Sequence, residues 1–382
     1  TGTSVGPGQF LPRIGVAYRL NDKTVVRAGY GLSADPKPYI DFRNAFPINF
    51  AWQMPAAQFN GTDNSFIPVT TLRTGLLRAV AGTPPDLTKG VIKLPPNVGT
   101  TTFPKDSMRK YIHSWNLTVQ RELSSKFNAQ IAYVGTRAIG QEGFVNINTS
   151  APGTGTTGRA LFPLGVTAYI NDIAPVGTAS YDGLQTQLTG RVGGSIFGAV
   201  YTFSKAINFQ DNDANPRIPF PADIGLNKGR ASYDRTHNFQ AYWTADLPFG
   251  AGHRWASNGL IGRLAGGWQV NGILSAESGN PFAIIQNNGG NLNAAGSSQV
   301  PDQINPVVNI LGGVGPGHPY FDTTAFAAVN IPAGQPQRFG TVGRNTLVGP
   351  GYFDIDMGLF RSFTITERIR LQFRAESFDI LN

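Results

Sequence analysis

Apolar and polar residues alternate along five pairs of segments in this chain, and most pairs are joined by a short polar connection. A period of two is the repeat of a β-strand, in which successive side chains point to opposite faces. The pattern therefore predicts ten antiparallel strands arranged as five hairpins. The predicted pairs are 10–20 with 24–33, 111–121 with 127–135, 181–191 with 195–205, 238–247 with 268–278, and 353–363 with 369–380.

Long intervals rich in Gly, Pro, Asn, Asp and Thr separate the pairs, at 34–110, 136–180, 206–237 and 279–352. Unstructured loops of this length are uncommon in compact soluble domains. Strands of about ten residues, with short turns at one end and long loops at the other, are typical of outer-membrane barrels. The predicted fold class is all-β: a transmembrane antiparallel up-and-down β-barrel with long extracellular loops. The connection 248–267 is longer than the other turns and is predicted to hold a helical turn around 260–264.

The face of each strand that lacks large apolar residues carries Gln, Asn, Thr, Gly and isolated Arg. A soluble sandwich would carry Lys, Glu and Asp there, so this composition indicates a polar lumen. The lumen-facing candidates are Arg13, Arg19, Arg27, Asn116, Gln120, Gln185, Gln187, Gln240, Asn271, Asp354, Asp356, Arg370, Gln372 and Arg374.

Aromatic residues fall mostly on the apolar face and near strand ends, which predicts an interfacial girdle. The alternative interpretation is ordinary aromatic packing in a core. The girdle candidates are Tyr18, Tyr30, Tyr111, Tyr133, Trp243 and Trp268.

The amino-acid composition excludes several classes of function. Charged residues make up 14% of the chain, against about 25% in ordinary globular proteins. The net charge of +8 is scattered without a dense Lys/Arg run, so nucleic acid is not an expected partner. The chain has no cysteine, which excludes disulfide frameworks and cysteine-based metal or nucleophile chemistry. A soluble β-sandwich, propeller or adhesin remains an alternative at this level.

No group of residues in the sequence has a pattern that indicates an enzyme. The four histidines, His113, His237, His253 and His318, lack metal-ligand spacing. Asp354 and Asp356 share a strand face and could form a carboxylate pair, although lumen-facing polar residues are the favoured interpretation. The segment 211–215 begins like a calcium loop but lacks its Gly and distal Glu, so a loop cation stays an alternative. We predict no catalytic residue, cofactor or metal site.

Several short motifs follow one another along the chain, and together they resemble the barrel of TonB-dependent transporters, in particular the Oar-like group. They include Pro12-Arg-Ile-Gly-Val-Ala-Tyr-Arg-Leu, Ser114-Trp-Asn-Leu-Thr-Val-Gln-Arg-Glu-Leu, Tyr201-Thr-Phe-Ser-Lys-Ala, Asp234-Arg-Thr-His-Asn-Phe, Gly266-Gly-Trp-Gln-Val-Asn-Gly and Phe373-Arg-Ala-Glu-Ser-Phe-Asp-Ile-Leu-Asn.

The resemblance implies a plugged barrel of about 22 strands, of which residues 1–382 would be the C-terminal portion of one barrel domain. The plug, the N-terminal domain and the final strand would be absent, and the ten strands would form an open half-barrel. The absence of a starting methionine or signal peptide before Thr1 agrees with a fragment.

The implied function is transport in the Gram-negative outer membrane. Extracellular loops would bind a bulky nutrient, which would then pass through the plugged polar lumen. The implied partners are outer-membrane lipid, the TonB complex through the absent N-terminal part, and an unknown extracellular ligand. The loops, with Asn60 and Asn288 among them, would be extracellular, and the turn at 21–23 periplasmic. The alternatives are an adhesion or secretion-associated barrel without transport, and a soluble β-rich surface protein.

Overall fold

The computed structural model describes residues 10–34, 99–102, 110–211, 218–250, 258–286, 294–332 and 334–381, with short pieces at 58–59, 66–67, 70–73, 75, 88, 255–256 and 292. Its strands are β1 (Arg13–Asn21), β2 (Thr24–Ala34), β3 (Gln58–Phe59), β4 (Phe66–Ile67), β5 (Thr100–Thr102), β6 (Tyr111–Ser124), β7 (Phe127–Asn146), β8 (Ile170–Val192), β9 (Ser195–Asn208), β10 (Gly229–Arg230), β11 (His237–Asp246), β12 (Trp268–Glu277), β13 (Pro281–Phe282), β14 (Asp302–Gln303), β15 (Phe326–Ala327), β16 (Leu347–Val348), β17 (Tyr352–Thr366) and β18 (Ile369–Ser377). One α-helix, α1, spans Gly259–Ala265.

One large antiparallel sheet dominates the fold, in the order β1-β2-β6-β7-β8-β9-β11-β12-β17-β18. Each long strand lies beside the next long strand in the chain, so the predicted up-and-down order of ten strands is confirmed. The short strands β5 and β10 add to β8 and β9. Among the strands that the structure describes, β1 and β18 each have a single neighbour. The sheet is therefore open, as the sequence predicted for a partial barrel.

Short turns lie at one end of this sheet, at 22–23, 125–126, 193–194 and 367–368. Gly193 in one of them has φ 60, a left-handed conformation that glycine adopts without a Cβ clash. The fifth connection, 247–267, holds α1, which confirms the predicted helical turn. Within the described part of the chain, no helix is long and apolar enough to span a membrane.

The second long connection is shorter than predicted. The sequence placed a loop at 136–180, but β7 continues to Asn146 and β8 begins at Ile170. Two register shifts, beside Gln141, interrupt their pairing, and Gly140 has φ 77. These bulges break the period of two that the prediction relied on, because each inserts an unpaired residue. The loop is reduced to 147–169.

Three of the long connections are folded where the structure describes them. We call their described residues (147–169, 218–236 and 279–351) the loop cap. They contain 3₁₀ turns, the two-stranded sheets β13–β16 and β14–β15, and a hydrophobic core of their own. The core consists of Phe220, Val300 and Val342, against which Leu226, Ile284, Phe326 and Phe339 pack. The 3₁₀ turns are Thr156–Gly158, Phe162–Leu164, Ile224–Asn227 and Thr323–Ala325.

Candidate functional site: the polar face and the loop cap

The strand register places all fourteen lumen-facing candidates on one side of the sheet, which we call the polar face. Directly paired residues of antiparallel strands point to the same side. The register pairs Gln120 with Gln130, Gln130 with Gln187, and Gln240 with Ser275, which in turn pairs with Asp354. A row of mostly amide and hydroxyl side chains therefore crosses the sheet from β6 to β17.

Hydrogen bonds connect neighbouring side chains of β2, β6 and β7 on the polar face. The guanidinium of Arg27 donates to Oε1 of Gln120. The Nε2 of Gln120 in turn donates to Oε1 of Gln130 at 2.7 Å. These two bonds link the guanidinium and the two amides sideways along the wall.

Charge is unevenly distributed on the polar face. Arg13, Arg19 and Arg27 lie on β1 and β2, while the carboxylates of Glu277, Asp354 and Asp356 lie on β12 and β17. Asp354 and Asp356 share the face as predicted, since they pair with Ser275 and Ile273 of the same strand. Arg370 and Arg374 then return positive charge on β18. Glu376 lies on the same face of β18, so the wall carries a basic side at β1 and β2, an acidic part at β12 and β17, and charges of both signs at β18.

The opposite face of the sheet, which we call the apolar face, carries all six girdle candidates. Large apolar side chains stand exposed on it, including Tyr18 at 62%, Leu371 at 58% and Ile131 at 47% exposure. Exposure of so many apolar groups on one face is unfavourable in water and suits contact with lipid.

Large aromatic rings on the apolar face cover glycines of the neighbouring strand. The indole of Trp243 lies over Gly272, where an added Cβ would come within 2.1 Å of the ring. Trp115 covers Gly135 in the same way, at 2.2 Å. Each ring lies flat across its partner strand, so these glycines provide the space that the large side chains need.

Tyrosine hydroxyls on the apolar face find polar partners toward the long-loop end of the strands. Tyr30 and Tyr201 contact Nδ1 of His113 and His237, each at 2.8 Å. Tyr133 donates to Asp182 at 2.5 Å. Rings with one apolar and one polar end are suited to a membrane–water boundary. The sequence predicted Tyr30 and Tyr133 as girdle residues, but it did not predict their contacts with His113 and Asp182.

The motif Asp234-Arg-Thr-His joins the loop cap to three strands. Asp234 is buried and accepts from the backbone N–H of Ala206 in β9 at 2.7 Å and from Arg230 Nε at 2.9 Å. Arg235 donates to the carbonyl of Ser278 and forms an ion pair of 3.3 Å with Glu277 at the end of β12. This motif is one of those that resemble the transporter family, but the sequence indicated no role for it. In the structure it fastens the loop cap to the strands.

Arg344 holds two segments of the cap together. Its buried guanidinium donates to the carbonyl of Asn208 at 3.0 Å, to Asn208 Oδ1 at 2.8 Å and to the carbonyl of Asn227 at 3.1 Å, and it pairs with Asp211. Partial burial raises the pKa of Asp211. Hydrogen bonds from Asn208, Ser232 and Arg344 outweigh that effect and hold the pKa below its ordinary value.

Two fully buried asparagines organise the backbone of the cap. Asn148 donates to the carbonyls of Val166 and Ala168, at 3.1 and 2.8 Å, and accepts from the N–H of Leu161 at 2.8 Å. Asn227 bonds both the N–H and the carbonyl of Phe220 at 3.0 Å. Buried polar groups of this kind fix loop shape because every bond must be made.

The sequence did not reveal the roles of Arg344, Asn148, Asn227 and Asp234, because these roles depend on burial and on contacts that follow no short-range period. It also left a loop cation at 211–215 as an alternative. Of that segment only Asp211 belongs to the part of the chain that the structure describes, and it pairs with Arg344. Residues 212–215, like His253, lie outside the described residues.

Comparison with protein-family models assigns nearly the whole chain to one family. The model of the outer membrane β-barrel domain matches residues 2–382. The chain belongs to this family of outer-membrane β-barrel domains. The family places the protein in the outer membrane of a Gram-negative cell, which confirms the predicted location and fold class. No curated protein matches the chain in sequence.

Solved structures of similar fold are outer-membrane transporters and receptors. The outer membrane transporter YddB from Escherichia coli is 10% identical, with a TM-score of 0.46 over 94% of this chain and 35% of its own. The siderophore receptor PirA from Acinetobacter baumannii is 11% identical, with a TM-score of 0.43, over 97% and 36%. The ferripyoverdine receptor of Pseudomonas aeruginosa is 11% identical, with a TM-score of 0.42, over 98% and 29%. The chain spans about a third of the length of these proteins.

Proposed function

We propose that this sheet is part of the transport barrel of a TonB-dependent receptor, which binds a bulky nutrient at its long loops and passes it through a plugged polar lumen. The observation that carries the proposal is the division of the sheet into two faces under a folded loop cap. The polar face forms the lumen wall, the apolar face contacts lipid, and the loop cap supplies the ligand-binding surface.

The chemistry of the wall supports passage of a polar solute. Amides and hydroxyls exchange hydrogen bonds with a moving solute at little net cost, because each bond to water is replaced by one to the wall. The wall carries charges of both signs. No solute, whether positive or negative, is therefore attracted by the whole width of the wall. The wall alone therefore selects weakly, and substrate selection falls to the loop cap.

A folded cap also supports capture. A binding surface that is already ordered loses less conformational entropy when the ligand arrives than a disordered loop would. The core around Phe220, Val300 and Val342 and the bonds of Arg344 provide that order.

Depletion of solutes from a complex growth medium tests this function for every candidate nutrient at once. Cells with the full-length gene and cells with a clean deletion are grown in the same medium, with and without a protonophore. Transport predicts at least one solute that the deletion strain leaves in the medium and that energised wild-type cells remove. Equal depletion by both strains, together with a loss of surface adhesion in the deletion strain, would favour the adhesion barrel instead.

A further inference from the structure

Helix α1 carries an apolar face that nothing in the described part of the chain covers. Leu260, Ile261 and Leu264 are 76%, 72% and 71% exposed. Residues at i, i+1 and i+4 fall on one side of an α-helix, so these three side chains form a single apolar stripe. Exposure of three large aliphatic groups on a seven-residue helix needs a partner.

The other side of α1 is pressed against the protein. Gly262 is buried on that side. The backbone of Gly250 approaches so closely that an added Cβ would lie 2.4 Å from Cα of Gly266 and 3.1 Å from the carbonyl of Gly262. Glycines at these contacts let the helix dock backbone to backbone, which fixes the direction in which the apolar stripe points.

The C-terminus of α1 is fastened to the apolar face of the sheet. Arg361, which pairs in register with Trp268 on that face, donates to the carbonyls of Arg263 and Leu264. The indole Nε1 of Trp268 donates to the carbonyl of Leu264 at 3.0 Å. The guanidinium also lies over the rings of Trp268 and Phe363, at 5.3 and 4.4 Å. A cation that caps a helix C-terminus is favourable, and here it joins the helix to aromatic residues.

We propose that α1 is an interfacial anchor whose leucine–isoleucine stripe inserts between phospholipids of the leaflet at the short-turn end of the barrel. The helix is bonded through Trp268 and Arg361 to the apolar face of β12 and β17. Its position between β11 and β12 places it at the edge of the apolar face, where acyl chains meet headgroups. Short amphipathic helices bury an apolar side about 5–10 Å into this region.

Basic side chains at α1 also favour a phospholipid partner. Arg263 is in the last turn of α1 and Arg361 lies directly below it, close to where phospholipid phosphates would lie. Phospholipids offer both features together, apolar chains for the stripe and anionic phosphates for the guanidinium groups. A periplasmic protein partner would need an apolar groove instead, and it would keep lipid away from the stripe.

A fluorescent label tests the anchor directly. The 382 residues contain no cysteine, so Ile261→Cys gives one site on the stripe, to be labelled with an environment-sensitive dye. The full-length protein is refolded into vesicles of phosphatidylethanolamine and phosphatidylglycerol, with and without brominated acyl chains. Val307→Cys in the loop cap is the matched control, because Val307 is 71% exposed. Leu260→Cys supplies a second stripe position if the first variant refolds poorly.

The anchor predicts blue-shifted emission at Ile261 and Leu260 and a loss of emission in brominated vesicles, with neither effect at Val307. Emission at both stripe positions that matches Val307 would overturn the proposal. A blue shift that brominated lipid does not quench would also overturn it, since it would show that protein covers the stripe. The result is independent of whether the barrel transports a nutrient.

Discussion

Arg344 and Asp211 form an ion pair across 133 residues of sequence, at the junction between the end of β9 and the last long loop. The Arg344 side chain is 9% exposed and that of Asp211 is 25% exposed. The same guanidinium bonds the carbonyls of Asn208 and Asn227. One side chain thus connects two segments of the loop cap to the sheet.

Replacement of Arg344 should loosen the cap without unfolding the barrel. Arg344→Met removes the ion-pair partner of a partly buried carboxylate and the shared donor of two carbonyls, which costs about 3 kcal/mol. Hydrogen exchange in the full-length protein should accelerate at 218–236 and stay unchanged in β6–β8. The control is Arg338→Met, which breaks the more exposed pair with Asp302 and should cost only about 0–1 kcal/mol. Equal acceleration by the two variants would contradict the role of Arg344.

Acid should loosen the same junction. The pKa of Asp211 is lowered in the folded protein, so its stabilising contribution is present above the unfolded pKa of about 3.9 and is lost as pH falls through the folded value. Protease cleavage of the cap should therefore rise only below about pH 4. In Asp211→Asn, which cannot ionise, the acid-dependent rise should shrink. An unchanged pH profile in that variant would assign the acid sensitivity to another group.

The pair of Asp302 and Arg338 should add to this acid response. The bidentate hydrogen bond from Arg338 is the main cause that lowers the pKa of Asp302. The sign is the same as for Asp211, so Asp302→Asn should also remove part of the response below about pH 4. Because this pair is more exposed, its share should weaken in high salt while that of Asp211 persists.

Cysteine labelling tests which end of the sheet faces outward. Asn60 and Asn288, which the sequence places in extracellular loops, lie outside the described residues, so Val307 in the loop cap is the probe. A membrane-impermeant reagent should label Val307→Cys on intact cells. Asp22→Cys, in an exposed turn, should react only after the outer membrane is permeabilised. Labelling of Asp22→Cys alone on intact cells would invert the topology.

The strands and their faces were predictable because period-two alternation is a local signal. The register places Arg27, Gln187 and Gln372 on one face, as the alternation within each strand predicted. The outer parts of β7 and β8 were missed because bulges near Gln141 break that period.

The loop cap was not predictable for a different reason. Arg344 and Asn227 are 117 residues apart, and the core of Phe220, Val300 and Val342 draws on separate loops. No periodic pattern within a window of sequence encodes such contacts. The amides of Asn148 and Asn227 resemble any other loop asparagines in the sequence, and only their burial distinguishes them.

An arginine scan of the two faces tests the central claim most directly. Ile131→Arg places a charge on the apolar face of β7, in the middle of the predicted span 127–135, while Gln185→Arg places one on the polar face of the adjacent strand β8. Urea titrations of the full-length protein in lipid vesicles give the free energy of unfolding for each variant. We expect a cost of about 2–4 kcal/mol for Ile131→Arg near the bilayer midplane and much less for Gln185→Arg. Equal costs for the two substitutions would contradict the division of this sheet into a lipid-facing side and a lumen-facing side.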